Sequence, residues 1–274
     1  MKLCMSTLGC AERSLEESAS LCKSFGFGGI ELRGIGGEMD IKKIPDFRPE
    51  NAAQSAAILK KYGVTPVVLG TSCKFHEPSK RAAALEEGRT AVSISASLGI
   101  PYIRVFGNNT VPDEKTAERS VVEGIGELCG FAAGTGVTVL LEVHGDFNRT
   151  GTLLPVIDGL LSAGADNFGL IWDIAHSDRA VGDNWEQFYR QTAQYVRHVH
   201  IKDHLRPSPD ASRAGYELTL PGDGDIPIRD IVRRLCLDGY DGYFSLEWER
   251  RWHPELPVIE TALERFTEIM GNIR

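Results

Sequence analysis

Short β-rich runs alternate with amphipathic helical stretches eight times along this chain, and no other feature narrows the fold as much. The strand candidates are KLCMSTL (2–8), GGIELRG (28–34), TPVVLGTS (65–72), PYIRVFG (101–107), VTVLLEVHGDF (137–147), FGLIWDIAHS (168–177), VRHVHIKD (196–203) and GYFSLEWE (242–249). Between them, apolar residues recur at helical spacing. Leu15, Ala19, Cys22 and Phe25 share one face, as do Ile228, Ile231, Val232 and Leu235, and Ile259, Ala262, Leu263, Phe266 and Met270. Gly26, Gly63, Gly99, Gly136, Gly164 and Gly239 each stand just ahead of a strand, where a helix should stop. Eight such units in 274 residues are what a (β/α)8 barrel needs. The rival, a doubly wound open sheet, usually carries a Gly-rich phosphate turn after its first strand, and TLGCAERS has none. The expectation is an α/β protein: a single-domain TIM barrel over residues 1–274. Residues 204–227 are too long for a plain loop and are expected to form a hairpin or lid within it.

Composition excludes several function classes. The net charge is −8 and no basic run exceeds two residues, which disfavours a nucleic-acid partner. No apolar run approaches the roughly 20 residues that span a bilayer, and MKLCMSTLGC is too short and polar for a signal peptide. The six cysteines are scattered without a CxxC pair, as expected of reduced, mostly buried thiols in a cytoplasmic protein.

The seven histidines are His76, His144, His176, His198, His200, His204 and His253. Each falls near or just past the end of a predicted strand, the end at which barrels of this kind do their chemistry. Strand alternation sorts them further. Thr138, Leu140, Glu142 and His144 share a face of the fifth strand. Ile171 and Asp173 share one on the sixth, His198, His200 and Lys202 on the seventh, and Ser245, Glu247 and Glu249 on the eighth. Four neighbouring strands can thus each offer one ligand: Glu142, Asp173, His200 and Glu247. Adjacent strands lie about 4.8 Å apart, so these groups can converge on one ion. Three carboxylates and one imidazole make a fairly hard site. They suit one divalent ion, with Mn²⁺ as first choice and Mg²⁺, Co²⁺ or Zn²⁺ as alternatives. His198 is expected to be a packed or supporting group, with Lys202 and Asp203 at the rim. Trp172 and Trp248 have the opposite parity to Asp173 and Glu247 and should pack against helices. His76, His204 and His253 read as ordinary loop residues. His144 is either a substrate contact or a hydrogen-bonded wall. Glu31 either faces the mouth or pairs with an arginine such as Arg33.

The series GIEL (Glu31), LEVH (Glu142, His144), WDIAH (Asp173, His176), HVHIKD (His198, His200) and LEWE (Glu247) resembles the xylose isomerase-like barrel superfamily, and most closely its sugar and sugar-phosphate isomerases and epimerases. The resemblance covers the whole chain in the right order. It implies a metal held by Glu142, Asp173, His200 and Glu247, with Glu142 and Glu247 also serving as acid and base. It implies substrate contacts from His176 and Arg206, with His144 and Glu31 as further candidates. The implied reaction is isomerisation or epimerisation of a sugar, keto-sugar or related polyol by glutamate-mediated proton transfer through a metal-bound enediolate. An inosose-type dehydratase, a lyase, would use the same metal site. A non-catalytic sugar-binding barrel and an endonuclease IV-like DNA repair enzyme are further alternatives. Against the latter, this chain lacks the histidines that the endonuclease pattern would place in RVFGNN and YELTLPGDGD. The expected partner is a small carbohydrate, with no nucleic acid or membrane; pairing into a homodimer is left open.

Overall fold

The computed structural model describes all residues except 111–112, 209–211, 213 and 274. Eight parallel strands close into a barrel: β1 (Lys2–Ser6), β2 (Gly29–Leu32), β3 (Thr65–Lys74), β4 (Tyr102–Phe106), β5 (Thr138–Glu142), β6 (Phe168–Asp173), β7 (Val196–Ile201) and β10 (Tyr243–Leu246). Their order around the barrel is β1-β10-β7-β6-β5-β4-β3-β2. The outer ring contains α1 (Leu15–Ser24), α2 (Ala52–Tyr62), α3 (Arg81–Leu98), α4 (Glu114–Ala132), α5 (Thr150–Ser162), α6 (Ile174–Val181), α7 (Trp185–Thr192), α8 (Ile228–Leu237) and α9 (Ile259–Gly271). Among the described residues, no helix is long and apolar enough to cross a membrane.

Local chemistry sets these boundaries. Ser14 and Glu17 form a reciprocal capping box at the start of α1. Helices α2 and α3 stop at Gly63 (φ 66°) and Gly99 (φ 67°), a left-handed conformation that glycine adopts without a Cβ clash. Trp172 packs outward, stacked on Tyr189 with centroids 5.2 Å apart, and the buried Trp248 indole donates to the Pro257 carbonyl. Inside the barrel, Cys4, Val67, Val68, Leu140 and Ile171 form a separate apolar plug. Because strand faces repeat every second residue, Glu142 and Asp173 stand directly above Leu140 and Ile171, toward the strands' C-terminal ends.

Two stretches depart from the sequence reading. FGLIWDIAHS was expected to be one strand, but β6 ends at Asp173 and α6 begins at once. Asp173 Oδ1 accepts the backbone N–H groups of Ala175 and His176, both at 2.9 Å, so a carboxylate cap overrides the alternating pattern. His176 therefore lies in the first turn of a helix. In the 204–227 segment, β8 (Asp203–Leu205) pairs antiparallel with β9 (Glu217–Thr219); its residues 209–211 and 213 lie outside the described residues. Asp203, expected at the rim, is 1% exposed. Its carboxylate accepts backbone N–H groups from His204, Gly222, Gly224 and Ile226 at 2.8–3.3 Å, which ties the PGDGD turn down. Those N–H groups answer a buried carboxylate, as burial of an ionised group requires.

Candidate metal centre and cavity

Glu142, Asp173, His200 and Glu247 converge. One donor atom from each lies within 4.8 Å of the others, and all four residues are buried. His200 Nδ1 is 3.3 Å from Glu247 Oε2, 3.8 Å from Asp173 Oδ2 and 3.9 Å from Glu142 Oε2. Donors about 2.1 Å from one ion lie roughly 3–4 Å from each other, so the spacing fits a shared divalent cation. Of the four atoms, Asp173 Oδ2 and Glu247 Oε2 meet the Lys202 ammonium at 2.8 and 2.6 Å, while His200 Nδ1 is buried without a directed hydrogen bond. Native proteins rarely leave such a nitrogen unanswered, and an ion bound among the carboxylates would answer it. The register explains the convergence: Asp173 on β6 stands opposite His200 on β7, which stands opposite Ser245 on β10.

The imidazole is fixed from behind. Glu31 Oε2 accepts from His200 Nε2 at 2.9 Å and from His198 Nε2 at 3.0 Å. With Nε2–H so engaged, Nδ1 is the nitrogen left facing the carboxylates. Glu31 is 0% exposed and lies outside the cavity lining, so its expected contact with substrate is corrected to a buried support for two histidines. Its parity on β2 does point inward, but below the mouth.

Two cations that the sequence reading missed or misplaced complete the centre. Lys202, expected at the rim, is 4% exposed. Its Nζ lies 2.8 Å from Asp173 Oδ2 and 2.6 Å from Glu247 Oε2, and donates a directed hydrogen bond to Glu249 at 2.7 Å. Three carboxylates around one ammonium outweigh the cost of its burial. Arg104 was not singled out, although an arginine between Tyr102 and Phe106 on an inward strand face was signal enough. Its Nη1 donates to Glu142 Oε2 at 2.7 Å and lies 3.6 Å from Glu247.

These contacts separate the two glutamates. Burial raises the Glu142 carboxyl to about 7, with Glu247 adding to the rise and Arg104 opposing it. Burial alone would raise Glu247 too, but His200 and Lys202 outweigh it and hold the group well below the usual carboxylate range. In the metal-free centre one carboxyl can therefore carry a proton near neutrality while its neighbour stays ionised.

A cavity of about 610 Å³ opens over this centre, lined among others by Arg33, Arg104, Glu142, His144, His176 and Glu247. His144 and His176 lie ring against ring, centroids 4.1 Å apart, and His144 also packs on Phe106. Arg206, the other expected substrate contact, is not among the cavity residues. Its guanidinium is held by Asp178 (2.5 and 3.0 Å) and Asp183 (2.9 Å), because the hairpin carries it toward α6. His204, expected in an ordinary loop, is fully buried with Nε2 2.8 Å from Asp178.

Burial, followed by the Lys202 charge, pulls His144 down to about 4, and burial pulls His176 down to about 3 against the attraction of Asp173. Both rings are neutral at neutral pH. An unfolded histidine takes its proton near about pH 6.5, so their contribution is complete above that value and is lost as pH falls toward about 4 for His144 and about 3 for His176. At about pH 5, each neutral ring should cost about 2 kcal/mol of stability. His176→Asn is therefore expected to flatten the fall in unfolding free energy between about pH 7 and about pH 5 in urea titrations of metal-free protein. An unchanged slope would show that the ring is not held neutral.

Comparison with known proteins places this geometry. The family profile described as xylose isomerase-like TIM barrel matches residues 19–269. Fructoselysine 3-epimerase of Shigella flexneri is 24% identical over 284 aligned positions, covering 98% of both chains. Inosose dehydratase of Yersinia enterocolitica is 30% identical over 152 positions, covering 49% of each. The solved structure of the IOLI protein with a bound zinc atom superposes with a TM-score of 0.79 at 20% identity, covering 100% of this chain and 98% of that one. The named relatives are thus an epimerase and a dehydratase, and a structural neighbour binds zinc. With the closed eight-strand barrel and the profile match over most of its length, the chain belongs to the xylose isomerase-like TIM barrel family.

Proposed function

We propose that this protein is a divalent-metal-dependent isomerase or epimerase of a sugar, keto-sugar or related polyol. The observation that carries the reading is that two buried glutamates, Glu142 on β5 and Glu247 just after β10, flank Asp173 and His200 at the wall of an open cavity. Glu142, Asp173, His200 and Glu247 would hold the ion, with Mn²⁺ proposed and Mg²⁺, Co²⁺ or Zn²⁺ as alternatives. When bound, the ion supplies Lewis acidity to a carbonyl and its neighbouring hydroxyl.

The residues of the chain do the rest. Glu247, held ionised, takes a proton from the carbon beside the carbonyl. Glu142 delivers a proton to the opposite face of that carbon for epimerisation; for isomerisation the proton goes to the former carbonyl carbon while the neighbouring hydroxyl proton passes to the former carbonyl oxygen. Arg104 orients Glu142 through its 2.7 Å hydrogen bond. Lys202, bonded to Glu249, holds Glu247 in its charged form. His144 and His176, both neutral, face the cavity as hydrogen-bonding partners for substrate hydroxyls. The full-length similarity to fructoselysine 3-epimerase supports this reading.

The partial match to inosose dehydratase favours a second reading, in which the same proton abstraction is followed by loss of a β-hydroxyl. Incubation of Mn²⁺-loaded protein with a panel of ketoses, hydroxypyruvate and inososes in deuterated water separates the two. Epimerisation or isomerisation places solvent deuterium on carbon with no loss of water. Product lighter by one water supports the lyase. No exchange and no dehydration across the panel with any of the four metals would contradict both.

A further inference from the structure

The cavity has two unlike halves. The groups of the proposed metal centre come from β5, β6, β7 and the end of β10. The opposite wall, at the ends of β2 and β3, contributes Arg33, Ser72 and Lys74. Arg33 is 7% exposed. Its Nη1 donates to the Met39 carbonyl at 3.0 Å and its Nη2 to Ser72 Oγ at 2.8 Å, so both acceptors are uncharged. Among the described residues, no carboxylate forms an ion pair with it. A buried guanidinium without a counter-charge is costly, and proteins normally pair such groups. Burial, reinforced by Arg104, pulls it down to about 10.

The backbone is cut away to permit this arrangement. A Cβ on Gly70 would stand 2.7 Å from Arg33 Cδ and 3.2 Å from Arg104 Nη2, so glycine on β3 lets the two arginines lie side by side. They differ in one respect: Arg104 contacts Glu142 directly and lies 3.6 Å from Glu247, whereas Arg33 meets Glu87, Glu247 and Glu142 only at longer range, the Glu87 carboxylate being taken up by the Ser72 N–H at 2.6 Å. Lys74, exposed at the end of β3, also faces the cavity, and the described residues offer it no ion-pair partner. In a chain of net charge −8, two cations without direct ion-pair partners among the described residues on one cavity wall are a local reversal of sign.

We propose that this wall is an anion subsite, built from Arg33, Ser72 and Lys74, which takes a carboxylate or phosphate group of the substrate while its hydroxy-carbonyl end lies at Glu142, Asp173, His200 and Glu247. The proposal rests on the functional reading above for the position of the reacting end. It adds that the substrate is an anionic sugar or polyol derivative. Arg33 supplies the buried, planar pair of donors suited to an oxyanion, and Lys74 supplies a flexible charge at the cavity edge.

Titration with inorganic phosphate and with malonate, followed by calorimetry and thermal unfolding, tests it without any turnover assay. The proteins are metal-loaded wild type, Arg33→Gln and Lys74→Gln, with His200→Ala as the variant that removes a proposed metal ligand. At least one anion is expected to bind wild type and His200→Ala alike and to raise their unfolding temperature, with affinity about tenfold weaker in Arg33→Gln and Lys74→Gln. The tighter of the two anions distinguishes a phosphate from a carboxylate substrate. Should Arg33→Gln fail to fold, Lys74→Gln, an exposed position, decides alone. Equal affinity in wild type and the two cation variants, no binding of either anion to wild type, or binding lost only in His200→Ala would each overturn the proposal. Because the readout is anion affinity, failure of the epimerase reading would leave the result intact.

Discussion

Glu142→Gln and Glu247→Gln are each expected to lower turnover by about a thousandfold, measured at saturating metal with whichever substrate the panel identifies. Each change removes a proposed ligand charge and a proton carrier at once, while keeping the side chain's size. The structural consequences differ. In Glu142→Gln, the charge partner 2.7 Å from Arg104 Nη1 disappears. In Glu247→Gln, Lys202 keeps Asp173 and Glu249 as partners. Arg104 still has Glu247 at 3.6 Å when Glu142 is replaced. Burial disfavours the Glu142 charge, whereas His200 and Lys202 favour that of Glu247. Stability of the metal-free protein should therefore fall more in Glu247→Gln, while activity should fall in both. More than one-tenth of wild-type activity retained in both variants would remove the two glutamates from the chemistry.

Glu31→Ala is expected to cost about 3 kcal/mol in urea denaturation and to weaken metal affinity by about 10–100-fold. The carboxylate is fully buried and accepts from His198, His200 and Ser245. Its removal leaves two imidazole N–H groups unanswered in the barrel interior and frees the ring that presents Nδ1. Glu31→Gln, which keeps an acceptor of the same reach, should recover part of both losses. Unfolding free energy and metal affinity indistinguishable from wild type in Glu31→Ala would show that His200 is oriented by packing alone.

The barrel was legible because its signal is repetitive. Eight strands, each ahead of an apolar helix face, leave few topologies, and alternation along β5, β6 and β7 places Glu142, Asp173 and His200 on one side of the sheet. What alternation does not carry is height. Glu31 and Glu142 both point inward, but one lies beneath the histidines and the other beside them. His198, His200 and Lys202 share a face, yet a long side chain at the strand's end can turn back into an acidic centre, as Lys202 does, rather than reach for solvent. Asp173 misled the boundary of β6 for another reason: a single carboxylate both ends the strand and caps the helix, and its remaining oxygen is the one that faces His200. The fate of Arg206 depended on a long-range pairing with Asp178 and Asp183, 28 and 23 residues away, which no local pattern encodes.

The most direct test is metal content. Protein purified without chelator, wild type and His200→Ala side by side, should be analysed by mass spectrometry after supplementation with Mn²⁺. One equivalent of a divalent metal is expected in wild type and its loss in the variant. Absence of metal from both, or equal occupancy in both, would contradict a centre built on Glu142, Asp173, His200 and Glu247.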